Sequence, residues 1–274
     1  MKIPKGKRIV SAFSRRADTY HKYRWDYPWS AFEWISSETP LSKASVVVDV
    51  GSGTGMVSGG FLKLAKQVIG IEPSPSMALI AAKLYKNTLC YNQLIGTSNN
   101  LPLKDSCADL IIAGQAVHYF DPDLTGPEFS RVLKANGKIC IIHIEIFPKE
   151  LYSDMKNIFT IENGCDLELS EDKPRKVHIS YYFNESIFQN QIIPLPVSES
   201  FEDFFGGLCS SADAPLPHDK MFGNFKSAAH QIFEKYRKDG QITLELRYNI
   251  ALGQKRNLFL TPSNSYCPRS GMSH

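Results

Sequence analysis

Short apolar runs alternate with amphipathic stretches through the first half of the chain. Five of these runs are rich enough in β-branched residues to predict strands, at about residues 45–50, 67–72, 90–95, 107–113 and 137–145. Because strands that alternate with helices form parallel sheets, the pattern predicts a sheet with helices on both faces.

The segment after the second predicted strand shows how a covering helix begins. Ser74 is a capping residue, and Pro75 takes the first helical position, where the missing N–H costs nothing. Apolar residues then recur at helical spacing, at Met77, Ile80, Ala81 and Leu84. These side chains are expected to face the sheet.

The second half of the chain is less regular. Residues 149–238 mix charged, aromatic and helix-forming residues, with a strand-like run near 188–197. Pro194 and Pro196 favour an edge position for that run, because proline has no N–H to donate to a neighbouring strand. Residues 242–252 alternate between apolar and polar and predict a final strand.

The composition is that of a globular protein, with 274 residues, 43% hydrophobic and 22% charged. A formal net charge of +3 is too small to predict nucleic-acid binding, which needs a clustered basic face. No run of about 18 apolar residues predicts a transmembrane helix, and the start lacks an apolar secretion signal. We therefore expect a cytoplasmic protein with neither nucleic acid nor membrane as a partner.

Six cysteines are scattered along the chain without C-x-x-C spacing. This pattern fits reduced thiols that pack as small apolar side chains. The seven histidines do not cluster with cysteine or acid at ligand-like spacing, so no metal site is expected.

Candidate chemistry is densest in a glycine-rich turn after the first predicted strand, with Gly51, Gly53 and Gly55. Glycines let the backbone approach a ligand closely. Glu72 ends the second strand, and its carboxylate could accept hydrogen bonds from both hydroxyls of a ribose. The arrangement predicts an adenosine-containing cofactor over the carboxyl edge of the sheet.

The glycine spacing favours some cofactors over others. A dinucleotide fingerprint reads G-x-G-x-x-G, and Met56 stands where its third glycine would be. A thioether there disfavours a pyrophosphate but leaves room for a nucleoside with an amino-acid carboxylate. A nucleotide-dependent oxidoreductase stays open, because Glu72 would also suit the ribose of NAD.

These residues resemble the class I S-adenosylmethionine (SAM)-dependent methyltransferases, in particular the small-molecule branch with trans-aconitate methyltransferase-like proteins. Asp49 and the three glycines match the first motif of that family, and Glu72 matches its ribose-binding acid. The resemblance implies a Rossmann-like α/β fold with seven strands, helices on both faces and a helical lid. It also implies SAM as cofactor, held in this region by Asp49, Gly51, Ser52, Gly53, Gly55, Glu72 and Pro73.

The resemblance also divides the chain. It implies an N-terminal cap segment at 1–40, a SAM-binding core at 41–148 and lid insertions at 149–238. A final core strand would lie within 239–256, antiparallel beside the fifth. The serine-rich tail at 257–274 is expected to be disordered.

Family members carry an N-terminal segment that closes over the cofactor, and residues 13–28 match it. By this resemblance, Tyr20 and Arg24 would lie near the methionyl end, with the guanidinium placed to pair with a carboxylate. An amphipathic cap helix whose aromatic residues belong to the core remains the alternative.

A loop at 96–103 resembles the adenine-binding loop of the family, G-D-A-E-x-L-P-F. Thr97 replaces its acid and Asn99 its glutamate. The resemblance implies adenine contacts at Thr97 and Ser98, made by a neutral side chain or a backbone carbonyl.

The segment after the fourth strand resembles the family's Q-A-x-H-W-F stretch, with Tyr119 where tryptophan is common. Gln115 is expected to line the cofactor. His118 is the candidate base or a donor that orients the acceptor, and a structural histidine is an equal alternative. His143, inside the apolar fifth strand, is expected to be a core histidine.

The leading hypothesis is a SAM-dependent methyltransferase that acts on a small-molecule acceptor, most plausibly at an oxygen. A non-catalytic SAM-binding protein and an NAD-type oxidoreductase are the alternatives. Two aromatic clusters in the lid could line an apolar acceptor pocket or belong to the core, at Tyr181, Tyr182 and Phe183 and at Phe201, Phe204 and Phe205.

Overall fold

The structure, a computed structural model, describes residues 7–166, 169 and 179–255, with only the backbone of 184–187. The tail at 257–274 that was predicted to be disordered lies outside the described residues. Within the described ranges, every helix is too short or too polar to cross a membrane.

The sheet contains the strands β1 Val46–Val50, β2 Gln67–Glu72, β3 Tyr91–Ile95, β4 Ala108–Gly114, β5 Leu133–Phe147, β6 Phe183–Glu199 and β7 Ile242–Lys255. Their order is β3-β2-β1-β4-β5-β7-β6. The first five run parallel, and β7 lies antiparallel between β5 and β6. The predicted seven-stranded fold, with its last strand antiparallel beside the fifth, is confirmed.

The start of β5 differs from the prediction, whereas the edge position of β6 agrees with it. β5 begins at Leu133, earlier than predicted, because its pairing with β4 jumps from Ala108↔Leu133 to Leu110↔Lys138. The residues between Leu133 and Lys138 are the extra ones that this register shift absorbs. β6 forms an edge of the sheet, as its two prolines indicate.

The helices are α1 Lys7–Ser14, α2 Ala17–Tyr23, α3 Trp29–Glu38, α4 Met56–Phe61, α5 Pro75–Leu84, α6 Pro122–Val132, α7 Lys149–Asn157, α8 Phe201–Cys209 and α9 Phe222–Tyr236. Two short 3-10 turns cover Val117–Tyr119 and Ile179–Tyr182. In α5, the Ser74 hydroxyl accepts a hydrogen bond from the Met77 N–H, as its capping position predicts. Met77 and Ala81 are buried, but the expectation for Leu84 was wrong, because the helix ends there and the side chain is half exposed.

Alternate residues of the central strands enter two separate hydrophobic cores. Leu110, Ile112 and Ile142 belong to the core on the first face, which is covered by α3, α4, α8 and α9. Ile111 and Ile141 belong to the core on the second face, which includes the aromatic residues of α6 and of the turn before β6. Burial on both faces explains why these strands are apolar almost throughout.

The N-terminal segment and the lid are joined into one unit, which we call the roof: residues 16–25, helix α8 and the loop 210–214. The Tyr23 hydroxyl donates to Glu202 at 2.9 Å, and the Trp25 indole N–H donates to Glu199 at 2.5 Å. Arg16 is buried and donates to the carbonyl of Ala214. The cap and the lid therefore cover the carboxyl edge of the sheet together.

The contact between α2 and α8 depends on a glycine, which gives a test of the roof. A Cβ on Gly206 would lie 2.4 Å from Cγ of the Tyr23 ring, whereas a Cβ on Gly207 would meet nothing closer than 3.8 Å. Gly206→Ala is expected to lower the free energy of unfolding by about 1–3 kcal/mol through overpacking. Gly207→Ala, the matched control, is expected to be neutral or stabilising by up to about 1 kcal/mol. Urea unfolding measures both, and equal stability of the two variants would contradict this packing.

Candidate functional site

The glycine turn between β1 and α4 has the conformation that its residues favour. Gly51, Gly53 and Gly55 have φ values of +71°, +54° and +87°, in the left-handed region that favours glycine. A Cβ on Gly51 would lie 2.6 Å from Cβ of Ala116, in the segment after β4. The turn is thus held against the end of β4 at a distance that only glycine permits.

Glu72 lies beside this turn and is bound to it. One carboxylate oxygen accepts the Gly53 N–H at 2.9 Å, and the other accepts the Ser74 N–H at 2.9 Å. Each oxygen keeps a further lone pair that could accept a hydroxyl group. Burial raises the pKa of Glu72 to about 7, although the two N–H donors oppose that shift.

Asp49 lies beneath the turn and is almost fully buried, with 1% of its surface exposed. Its Oδ2 accepts the Ser58 hydroxyl at 2.7 Å, and its Oδ1 has no hydrogen-bond partner. Burial raises the pKa of Asp49 to about 7. Asp49 therefore supports the turn from below.

A cavity of about 1090 Å³, the loop cavity, opens above the turn. Many of the residues expected to bind the cofactor line it, namely Tyr20, Gly51, Gly53, Glu72, Pro73, Thr97, Ser98 and Gln115. Lining residues that sequence reasoning missed include Lys7 and Ser11 of α1 and Asp121. Asp121 is the N-cap of α6, a local signal that could have placed it at this edge.

Ser52 and Gly55, also expected at the cofactor, lie outside the lining of the loop cavity. The Ser52 hydroxyl accepts from the side chain of Gln93 at 3.3 Å. The Gly55 carbonyl accepts the Tyr85 hydroxyl at 3.0 Å. Both residues shape the turn from its outer side.

The polar loop before Pro102 lies over one end of the loop cavity. The Thr97 hydroxyl donates to the Asn99 side chain at 2.7 Å, and the hydroxyls of Ser98 and Thr125 share a hydrogen bond of 2.9 Å. Thr97 and Asn99 are neutral and occupy the positions where the family's loop carries acids.

Tyr20 and Arg24 lie one turn apart on α2 but face different cavities. Tyr20 lines the loop cavity, and Arg24 places its guanidinium 5.1 Å from the centre of the Tyr20 ring, on the side of a second cavity. The Arg24 Nη2 donates to the Ser211 hydroxyl at 3.2 Å. The structure thus separates Arg24 from the loop cavity, whereas the sequence resemblance placed both residues at the cofactor.

The second cavity, of about 1000 Å³, lies under the roof and is called the roof cavity. Its walls are largely apolar and aromatic, with Trp25, Ile146, Tyr152, Phe159, Tyr182 and Phe204 among the lining residues. From the two aromatic clusters of the lid, Tyr182 and Phe204 thus reach this cavity. Gln115 and Phe120 line both cavities and form the wall that they share.

Gln115 adopts a conformation that non-glycine residues rarely take, with a φ of +53°. Its backbone N–H donates to the Ile142 carbonyl at 2.9 Å, and its side-chain oxygen accepts the Ile144 N–H at 3.1 Å. The side chain therefore continues the bonding to β5 after the backbone of β4 has turned away. Rare backbone conformations of this kind cluster at functional sites.

Both candidate histidines line the roof cavity. The His118 ring lies 4.1 Å from the Tyr119 ring, in the 3-10 turn after β4, and is exposed. The expectation for His143 was wrong, because its side chain is exposed to the roof cavity and does not belong to the core. The physical reason is that β5 continues beyond the end of β4, so the second face there borders a cavity.

Comparison with known proteins finds similarity to methyltransferases. A family model described as a methyltransferase domain matches residues 48–141. An uncharacterized methyltransferase of Schizosaccharomyces pombe is 30% identical over 135 residues, 49% of this chain and 53% of that protein. A putative methyltransferase of Dictyostelium discoideum is 27% identical over 221 residues, 74% of this chain and 78% of that protein.

A further relative is the malonyl-[acyl-carrier protein] O-methyltransferase of a Marinomonas species, 26% identical over 136 residues, 48% of this chain and 50% of that protein. The chain thus spans about half the length of the S. pombe and Marinomonas relatives. Among solved structures, a putative type II methyltransferase from Anaeromyxobacter dehalogenans matches with a TM-score of 0.57 and 17% identity, over 85% of this chain and 98% of that one. The YcgJ protein of Bacillus subtilis matches with a TM-score of 0.55 and 18% identity, over 83% and 98%.

The matched residues 48–141 include the glycine turn and Glu72, and the model they match is that of a methyltransferase domain. Over this part of its length the chain is similar to methyltransferases.

The raised pKa values of the buried Glu72 and Asp49 carboxyls predict how the free energy of unfolding depends on pH. Since the folded-state pKa of Glu72 is raised to about 7, the folded protein holds a proton that the unfolded chain has already lost above its ordinary pKa of about 4.3. The contribution of Glu72 to the free energy of unfolding is therefore fully present below about pH 4.3 and is lost as the pH rises towards 7. Glu72→Gln removes this titration. As the pH rises from about 4.3 to about 7, the free energy of unfolding of the variant should therefore increase relative to that of the wild type by up to about 1.4 kcal/mol per pH unit.

Urea unfolding of the ligand-free protein at pH 5, 6 and 7 measures this difference. Asp49→Asn, the second arm, should change the slope in the same direction. Parallel stability curves for wild type and both variants would contradict the raised pKa values.

Proposed function

We propose that the protein is a SAM-dependent methyltransferase that transfers a methyl group to an oxygen atom of a small-molecule acceptor. The observation that carries the proposal is the shared wall at Gln115 and Phe120, which puts a cavity suited to a nucleoside in direct contact with an apolar cavity. Methyl transfer needs this arrangement, because donor and acceptor must meet with water excluded.

The loop cavity has the features that an adenosine with an amino-acid tail requires. Glu72 offers one free lone pair on each oxygen to a ribose, and the left-handed glycines bring backbone close to the ligand. Thr97 and Ser98 would meet the adenine, and Tyr20 and Gln115 would lie towards the methyl group, because Gln115 also lines the roof cavity. When bound, SAM supplies a methyl group that its sulfonium has already made electrophilic.

The protein's own task is then to position the acceptor. The apolar walls of the roof cavity would hold its body and keep water away from the reacting atoms. His118 would orient the acceptor through a hydrogen bond or take its proton. Transfer to oxygen agrees with the relative from Marinomonas that is named as an O-methyltransferase.

The alternatives have less support. An NAD-type oxidoreductase would need a glycine for close packing at the start of α4, where Met56 is the first helical residue. A non-catalytic SAM-binding protein would have no use for a large apolar cavity that shares a wall with the cofactor site.

Calorimetric titration separates these classes. SAM and its demethylated product are expected to bind, and NAD is not. Gly51→Ala should weaken binding of the demethylated product at least tenfold, because its Cβ would lie 2.6 Å from that of Ala116 and deform the turn. Gly223→Ala, whose Cβ would meet no atom within 4 Å, is the control and should bind normally. Tight binding of NAD without binding of SAM would refute the proposal.

His118→Ala is expected to lower turnover far more than cofactor affinity, by about a hundredfold or more. Turnover is measured as transfer of a labelled methyl group from SAM to a panel of phenols, alcohols, carboxylic acids and amines, and mass spectrometry identifies the methylated atom. Unchanged turnover would assign His118 a structural role, and methylation on nitrogen alone would refute oxygen as the acceptor atom.

A further inference from the structure

His143 is a polar side chain at an unusual place in a buried strand. Its neighbours on β5, Ile142 and Ile144, are buried to 1% and 9% exposure, while the His143 side chain is exposed to the roof cavity. Its imidazole makes no hydrogen bond within the described part of the chain. His143 therefore makes no hydrogen bond that holds the described part of the fold, and it lines the roof cavity.

The backbone places this imidazole next to the wall shared by the two cavities. Gln115 bonds to the residue before His143 through the Ile142 carbonyl, and to the residue after it through the Ile144 N–H. Because one residue advances a strand by about 3.3 Å, His143 starts within one residue of both contacts. Gln115 itself lines the loop cavity, where the methyl donor would lie.

The groups around His143 keep it available as a base. Asn249 lies directly opposite on β7, and Glu145 lies two residues further along the same face, opposite Arg247. Lys149 on α7 acts on His143 electrostatically, and His118 in the 3-10 turn lines the same cavity. Further ionisable residues that line this cavity are Tyr23, Arg24, Tyr152, Lys156, Tyr182, Glu199 and Asp213. Partial burial lowers the pKa of His143, with Glu145 opposing and Lys149 adding to the shift, which favours the neutral imidazole that can accept a proton.

We propose that His143 accepts the proton of the methyl acceptor, and that this acceptor is an apolar molecule with an acidic hydroxyl group, a phenol or an enol. The inference rests on the proposed methyltransferase function and deepens it. A carboxylate acceptor would already be ionised and would need no base, whereas a hydroxyl group must lose its proton to become a good nucleophile. Phe120 and Tyr182, which line the roof cavity on the same face of the sheet as His143, match the apolar body of such a molecule.

The step balances with the groups named. The hydroxyl proton passes to the unprotonated nitrogen of the His143 imidazole, and an electron pair on the oxygen forms the new bond to the methyl carbon. The carbon–sulfur bond of the sulfonium breaks, and its electron pair stays on sulfur. The products are a methyl ether and the neutral thioether, and the imidazolium then loses its proton to water. His118 is assigned the role of orienting the hydroxyl group.

The proton transfer can be observed without turnover. The probe is 4-nitrophenol, whose phenolate absorbs visible light while the neutral phenol does not. It is added at pH 6 to the full-length protein saturated with the demethylated cofactor. A phenolate band that grows with protein concentration is expected for the wild type. A weaker band should persist in His118→Gln, which loses only the orienting group. The band should fall at least tenfold in His143→Gln, because the amide cannot take the proton.

The controls separate misfolding from loss of the base. His230→Gln changes an exposed histidine of α9 that pairs with Glu234, and it should behave as the wild type. Calorimetric binding of the demethylated cofactor should be the same in all variants and shows that each is folded. With any phenol of the panel that is methylated, the rate should rise with pH as His143 loses its proton, and His143→Gln should lose this limb of the profile.

Several results would overturn the inference. No phenolate band in the wild type would exclude a base for hydroxyl acceptors in this cavity. A band that persists in His143→Gln and disappears in His118→Gln would move the proton acceptor to the 3-10 turn. Failure of the demethylated cofactor to bind to any variant would instead refute the methyltransferase proposal.

Discussion

The candidate site depends on how Gln115 ends strand β4. Its backbone turns out of the sheet in a left-handed conformation, yet its N–H and its side-chain oxygen both remain bonded to β5. The side-chain amide supplies the acceptor that a continuing strand would have offered to the Ile144 N–H, so no buried donor is left unpaired. β5 can therefore run on past the end of β4, and the two cavities meet in the space beside it.

The loop cavity relies on a different constraint, the burial of two carboxyl groups next to the glycine turn. Glu72 accepts one N–H from the turn and one from the start of α5, which fixes the carboxylate between two elements. Water has largely been removed from around it, so a ligand that offers hydroxyl groups restores hydrogen bonds that burial has taken away. Burial of the Asp49 carboxyl beneath the turn is also unfavourable, and one of its oxygens has no hydrogen-bond partner. The ligand-free site is thus less stable than its surroundings, as is common where a protein binds.

The local sequence pattern predicted most of the fold, because strands and helix N-caps depend on residues that are close together in the sequence. It also predicted Gly51, Gly53 and Glu72 at one edge, since the carboxyl ends of parallel strands must meet there. The placement of His143 depends instead on β4 stopping at Gly114 while β5 continues, and no feature of the β5 sequence records the length of its neighbour. Arg24 and Lys7 depend in the same way on how the N-terminal helices dock. Tertiary packing decides such contacts, and a single sequence does not encode them locally.

Helix α2 and its C-cap residue line both cavities. Tyr20 lines the loop cavity, and Tyr23 and the C-cap residue Arg24 line the roof cavity. One short helix cannot move at one site and stay still at the other. A molecule that holds Tyr20 in place also holds a wall of the neighbouring cavity, so the two ligands share the entropy of ordering this helix. By thermodynamic linkage, each would then raise the affinity for the other by the same factor. The cap segment thereby couples the two cavities, so that whichever ligand binds first prepares the space for the other.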